Sequence, residues 1–169
     1  RDSNTSLNGL MLHHNVIGDE FLKYVHDIDI SFMKEDKIMR NELENLNMEK
    51  FIFTNGSAEH AQNILTRLGI YDLFGKEKVF DIKDAGYVPK PEAQTFDLMV
   101  KKFGINPKET IYIEDIAKNL SIGFKKGCTT VWLINDEHFG KIDSDKDYIS
   151  HKIENLSLFL KEIRLLKSK

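Results

Sequence analysis

The chain has 169 residues, of which 41% are hydrophobic and 30% charged, with a formal net charge of −3. That balance supports a packed core and excludes disorder as the main state, and it carries no basic excess of the kind a nucleic-acid partner selects. The longest apolar runs, such as Val131-Trp132-Leu133-Ile134, are too short to span a bilayer, and the single cysteine, Cys128, excludes an intrachain disulfide, which fits a reducing, cytoplasmic setting.

Residues 19–26 read as a helix, with Phe21, Leu22 and Val25 on one face and Asp19 and Glu20 in the first turn. A second helix is expected over 35–46, with Ile38, Met39, Leu43 and Leu46 on its inner side. The pattern then changes. Phe51-Ile52-Phe53 is a short apolar strand ending in the turn residues Thr54-Asn55-Gly56. Ser57 is placed to cap the next helix, whose stripe is Ala58, Ala61, Ile64, Leu65 and Leu68 and whose stop is Gly69. Val79-Phe80-Asp81 predicts a strand, and 91–103 a helix opened by Pro91 and closed by Gly104. Ile111-Tyr112-Ile113 is the next strand, followed by a short helix over 117–126 and a strand over 129–133. Residues 135–147, rich in Asp, read as a solvated loop, and the last helix is expected over 155–166.

From residue 51 onward strands alternate with helices. This predicts an α/β fold with a parallel sheet and helical crossovers on its faces. Ligands in such folds bind beyond the carboxyl ends of the strands. There the sequence puts Thr54-Asn55 after one strand, Glu114-Asp115 with Lys118 and Asn119 after another, and Lys90, between Pro89 and Pro91, ahead of a helix. A hydroxyl and backbone N–H groups at a helix start suit a phosphate, a lysine adds positive charge, and carboxylates suit Mg²⁺. The set therefore predicts a Mg²⁺-dependent phosphoryl site. The bland alternatives are a strand-end turn for Thr54-Asn55, a solvated Lys90 and a helix cap for Glu114-Asp115. Outside the set, His13-His14 read as surface or cap-lining residues, His60 as a solvated residue on its helix, Cys128 as an inert buried thiol and Trp132 as core.

Phe53-Thr54-Asn55-Gly56-Ser57, then Asp84-Ala85-Gly86-Tyr87-Val88-Pro89-Lys90-Pro91, then Ile113-Glu114-Asp115-Ile116-Ala117-Lys118-Asn119 resemble motifs two, three and four of the haloacid dehalogenase superfamily. More narrowly, they resemble its pyrimidine 5′-nucleotidase-like bacterial hydrolases. Gly9-Leu10-Met11 and Tyr24-Val25-His26-Asp27-Ile28-Asp29 resemble the helical cap of that group. The resemblance implies a Rossmann-like core over 49–169 and a partial helical cap over 1–48. A source with an A/T-rich bacterial genome is also expected from the excess of Lys, Ile and Asn.

By the same resemblance, Thr54, Asn55, Gly56 and Lys90 would bind the phosphate, and Thr54, Lys90 and Asp115 would be catalytic. Asp115, Glu114 and Asn119 would hold Mg²⁺ directly or through water. The family's first motif, a strand ending in the nucleophile pair Asp-x-Asp, is expected to be missing ahead of the cap. Asp27-Ile28-Asp29 matches its spacing but follows a helical pattern and leaves too few positions before Thr54, so it reads as a decoy. The resemblance implies a phosphatase acting on small phosphomonoesters, nucleotides among them, through an aspartyl-phosphate. The alternative is a catalytically inactive relative that binds phosphate or Mg²⁺, or forms a homodimer that covers the gap in its sheet. A receiver-like signalling domain shares the Asp, Thr and Lys chemistry, but the cap segment and the Lys90 context argue against it.

Overall fold

The computed structural model describes Gly18, Leu22 and residues 29–167. The helix expected over 19–26 (Leu22 apart), the cap-like segments up to Ile28, His13-His14 and Asp27 lie outside the described residues. The rest forms two compact units. One contains residues 29–44 and 48–89, the other 45–47 and 90–167.

In the first unit, α1 (Lys37–Asn45) starts at Asp36, whose Oδ1 accepts from the Met39 N–H at 2.8 Å. Leu43 and Leu46 are buried as expected, but Ile38 is 64% exposed and Glu42 is buried in its place. The reason is angular. At about 100° per residue, a face centred on Met39, Leu43 and Leu46 takes in Glu42 and leaves Ile38 on its rim. Arg40 forks onto Asp72, with both N···O distances 2.8 Å, and also donates to the Gly69 carbonyl, which ties α1 to the turn after α2. These hydrogen bonds hold the Asp72 carboxyl below its ordinary range.

β1 (Ile52–Phe53) pairs in parallel with β2 (Val79–Phe80), Ile52 opposite Val79 and Phe53 opposite Phe80. The two phenyl rings meet edge to face, with centroids 5.5 Å apart. Between the strands runs α2 (Ala58–Arg67), capped by Ser57, whose side chain accepts from the His60 N–H, and buried along Ala61 and Leu65. Leu22 packs with Ile82 and Tyr87.

In the second unit, α3 (Ala93–Phe103) begins two residues later than predicted. Pro91 lies in the turn ahead of it, and Glu92 is the N-cap position. β3 (Ile111–Glu114), β4 (Thr129–Leu133) and β5 (His151–Ile153) form a three-stranded parallel sheet in the order β3-β4-β5. β5 was not anticipated: it follows the acidic loop directly, with only Ile153 partly buried. It is held by Thr130, which is fully buried. The Thr130 Oγ1 donates to the Tyr148 carbonyl at 2.6 Å and accepts from the Ser150 N–H at 3.0 Å.

α4 (Leu120–Lys126), preceded by a 3-10 turn over Ala117–Asn119, packs on β3 and β4. Gly123 sets that approach, because a Cβ there would collide with the Tyr112 ring of β3. Gly127 ends α4 in the left-handed region at φ 98°. α5 (Leu156–Lys167) starts at Asn155, whose Oδ1 accepts from the Leu158 N–H. Both sheets are parallel, with helices between β1 and β2 and between β3 and β4 and a loop between β4 and β5, the α/β arrangement that the sequence predicts. Among the described residues no helix is long and apolar enough to cross a membrane.

Thr130→Val removes a buried hydroxyl that serves two backbone groups. Its expected cost is about 1–3 kcal/mol in urea unfolding, and a cost near zero would show that β5 is held otherwise.

Candidate active site

Each unit presents polar residues at the carboxyl end of its strands. In the first, Thr54 follows β1. Its N–H donates to the Phe80 carbonyl at 3.0 Å, and its Oγ1 accepts from the Gly56 N–H at 2.9 Å. Gly56 in turn accepts from the Ile82 N–H at 3.2 Å. Thr54, Asn55 and Gly56 therefore form a hydroxyl-closed turn that opens into Ser57 and α2. The hydroxyl keeps one O–H donor beyond its bond to Gly56.

Asp81, directly after β2, is the organiser of this end. It is buried at 5% exposure. Its Oδ2 accepts from the Ala58 N–H, and its Oδ1 from the N–H groups of Lys83 and Asp84, each at 2.9 Å. One carboxylate thus serves the first turn of α2 and the loop that leads to Tyr87. Sequence reasoning passed over Asp81 as a strand residue. It occupies the same strand-end position as Thr54 and Asp115, so the rule that found those two points to it as well.

In the second unit, the Lys90 ammonium meets the Glu114 carboxylate at 2.9 Å, with both side chains under one-tenth exposed. The other oxygen of Glu114 accepts from Asn119 Nδ2 at 2.6 Å. Asn119 is itself buried, in the 3-10 turn that leads into α4. The Lys90–Pro91 peptide bond is cis. Asp115, one residue beyond β3, is exposed. Its main-chain carbonyl accepts from Trp132 Nε1 at 3.0 Å and from Asn135 Nδ2 at 2.7 Å. Lys118 is exposed.

The predicted residues therefore separate into groups. Lys90, Glu114 and Asn119 come together, and Asp115 stands beside them in sequence with its carboxylate turned to solvent. Thr54, Asn55 and Gly56 belong to the other unit. Glu114 and Asn119, expected to support a metal directly or through water, are engaged with each other and with Lys90. The two oxygens of Glu114 accept from Lys90 Nζ and Asn119 Nδ2, so these three side chains hold one another. Asp115 fits a hard cation better, since Mg²⁺ accepts one or two carboxylates and fills its octahedron with waters and phosphate oxygens. Among the described residues no three His, Cys, Asp or Glu side chains group closely enough to hold a metal ion by themselves.

Asp29 lies outside any strand, exposed, and accepts from the Ser31 N–H at 2.8 Å. Cys128 is buried, and burial pushes its thiol up to about 11.

A family model described as haloacid dehalogenase-like hydrolase matches residues 36–123, which include Thr54, Lys90, Glu114, Asp115 and Asn119. The chain belongs to the haloacid dehalogenase-like hydrolase family. It is similar to the glyceraldehyde 3-phosphate phosphatase of Methanocaldococcus jannaschii, 24% identical over 160 residues, a match that covers 94% of this chain and 64% of that protein. The chain thus spans just under two thirds of that relative's length.

Among solved structures it is similar to a hydrolase of the same family from Deinococcus radiodurans with bound phosphate and sodium. There the TM-score is 0.64 at 19% identity, over 96% of this chain and 73% of that one. A haloacid dehalogenase-like protein from Agrobacterium tumefaciens gives 0.60 at 16% identity, over 99% and 86%. The β-phosphoglucomutase of Clostridium difficile gives 0.56 at 16% identity, over 89% and 64%. At these identities the structural likenesses establish the fold.

Two outcomes are expected from this geometry. Glu114→Ala strands the Lys90 charge in a dry site and should cost about 3–5 kcal/mol in chemical unfolding. The double change Lys90→Met with Glu114→Leu should recover most of that loss, and a double variant no better than the single would show that the pair is not the issue. Cys128 is a protonated thiol at any pH well below about 11, so the native protein should react only slowly with a disulfide reagent at pH 8. Rapid labelling without unfolding would contradict its burial.

Proposed function

We propose that this chain serves a Mg²⁺-dependent phosphatase that acts on small phosphomonoesters. The observation that carries the reading is the buried Lys90–Glu114–Asn119 group next to the exposed carboxylate of Asp115, at the carboxyl end of β3. A fixed positive charge and a solvent-facing carboxylate at one strand end are what a phosphate and a hard cation require together.

In this reading Asp115 is the Mg²⁺ ligand from this unit, and Glu114 and Asn119 are positioning residues. Glu114 holds the Lys90 ammonium, and Asn119 holds Glu114. By the motif resemblance, Lys90 would supply charge to the phosphate and to the attacking carboxylate, and Thr54 would offer its O–H with the backbone of Asn55 and Gly56 to a phosphate oxygen. Bound Mg²⁺ would add positive charge against the same oxygens. The chemistry is displacement at phosphorus by an Asp carboxylate. The new P–O bond forms as the ester P–O bond breaks, the leaving alcohol takes a proton, and water then releases phosphate from the aspartyl-phosphate. Among the described residues no strand ends in Asp-x-Asp, so the attacking Asp is assigned to none of them.

The relative named as a glyceraldehyde 3-phosphate phosphatase supports a small substrate, and the motif resemblance adds nucleoside 5′-monophosphates to the candidates. The test uses the full reading frame that contains this sequence, with both substrate groups and with Mg²⁺ varied. Phosphate release should depend on Mg²⁺. Thr54→Val and Asp115→Asn should each lower kcat/KM by about 10²–10³, and Asp115→Asn should also raise the Mg²⁺ requirement. Asp27→Asn should leave the rate unchanged. No hydrolysis of any phosphomonoester would overturn the phosphatase reading, and an unaltered Mg²⁺ requirement in Asp115→Asn would remove that residue from the metal site.

A further inference from the structure

The main-chain carbonyl of Asp115 is engaged more fully than its side chain. It receives two donors, Trp132 Nε1–H from β4 at 3.0 Å and Asn135 Nδ2–H from the loop beyond β4 at 2.7 Å. A carbonyl oxygen has two lone pairs, so this one is saturated. Both donors are themselves fixed. The Trp132 indole is buried at 5% exposure, with the Lys152 ammonium 5.8 Å from its ring centre.

Asn135 uses its amide at both ends, because its Oδ1 accepts from the Glu137 N–H at 3.0 Å. Reversing that amide would set oxygen against the Asp115 carbonyl and nitrogen against an N–H, so the orientation follows from the partners. Gly140 closes the arrangement. A Cβ there would collide with the Asn135 amide, and the Gly140 carbonyl accepts from the Ala117 N–H at 3.0 Å. The loop after β4 therefore returns to the loop after β3 only two residues past Asp115.

None of these bonds touches the Asp115 carboxylate. They fix the backbone from which it projects, and that restricts where it can point. A ligand whose backbone is already ordered loses less freedom when it takes a cation, and groups behind a metal's ligands typically set affinity in this way. We propose that Trp132 and Asn135 are positioning residues for the carboxylate of Asp115: they clamp its main chain so that the side chain meets the cation in one direction. This rests on Asp115 being a metal ligand, as proposed above. Because Trp132 is the chain's one tryptophan, its emission offers a second readout beside Asp115.

The test is titration of the full chain with Mn²⁺, followed by water-proton relaxation and by tryptophan emission. Wild type should bind one ion and change its emission in parallel. Asp115→Asn should abolish both signals. Asn135→Ala and Trp132→Phe should each weaken Mn²⁺ binding about 10-fold. Asn135→Ala should keep the wild-type circular dichroism spectrum and the full emission change, shifted to higher Mn²⁺. Asn135 sits on a half-exposed loop, so this variant serves if Trp132→Phe fails to fold.

Wild-type Mn²⁺ affinity in the folded Asn135→Ala variant, with binding lost in Asp115→Asn, overturns the clamp and leaves the metal ligand standing. Unimpaired binding in Asp115→Asn, or no binding by wild type, overturns the ligand and the clamp together.

Discussion

A lysine ammonium held away from water has to be answered by a charge, and Glu114 answers Lys90 at 2.9 Å in the second unit. Much of that unit's strand-end geometry follows. Glu114 is the last residue of β3, so the partner of Lys90 is fixed by the sheet rather than by a loop. β3 is registered along its length against β4, with Glu114 opposite Trp132. Its Tyr112 face is held at close range to α4 by the absence of a side chain at Gly123. Asn119 then takes the second carboxylate oxygen and joins the start of the next helical segment to the same group. With Glu114 occupied on both sides, its neighbour Asp115 is left as the carboxylate that meets solvent. Two adjacent carboxylates, one ending the strand and one just beyond it, thus meet different surroundings.

The first unit solves a related problem with a different acid. Asp81 gathers three backbone N–H groups, one from α2 and two from its own loop. It needs no lysine because amide donors suffice for a carboxylate at a helix start. The Thr54 hydroxyl closes the turn after β1 in the same local way. In the first unit side-chain oxygens bind nearby backbone N–H groups, whereas in the second Glu114 binds two side-chain nitrogens and the Asp115 carbonyl accepts from two more.

Much of this was legible in the sequence where a residue type has a single mechanical use. Ser57 as a cap, Gly104 as a left-handed stop, and the apolar cores of β1, β3 and β4 stand where the pattern places them. Three features were not legible, each for a physical reason. The inner face of α1 takes Glu42 and leaves Ile38 outside, because helix phase decides burial more strongly than polarity at the rim. β5 has little apolar signal, since an edge strand secured by Thr130 and Ser150 needs few apolar residues of its own. The partners of Glu114 were hidden because sequence shows a carboxylate but not which donors its oxygens accept from. Trp132 read as core, and it is core. Its indole N–H, which reaches Asp115, has no sequence signature.

β5 also bears on how the protein behaves in a crowded solution. Within its unit it ends the order β3-β4-β5, and the outer edge of a sheet offers unpaired backbone groups to any other extended chain. Here the edge is three residues long and carries His151 and Lys152, both exposed, with the lysine drawn over the Trp132 ring. A short edge with a cation at its centre is a poor template for strand addition, because a second copy would have to bring its own Lys152 alongside. The residue that shields the tryptophan thus also guards the sheet against aggregation.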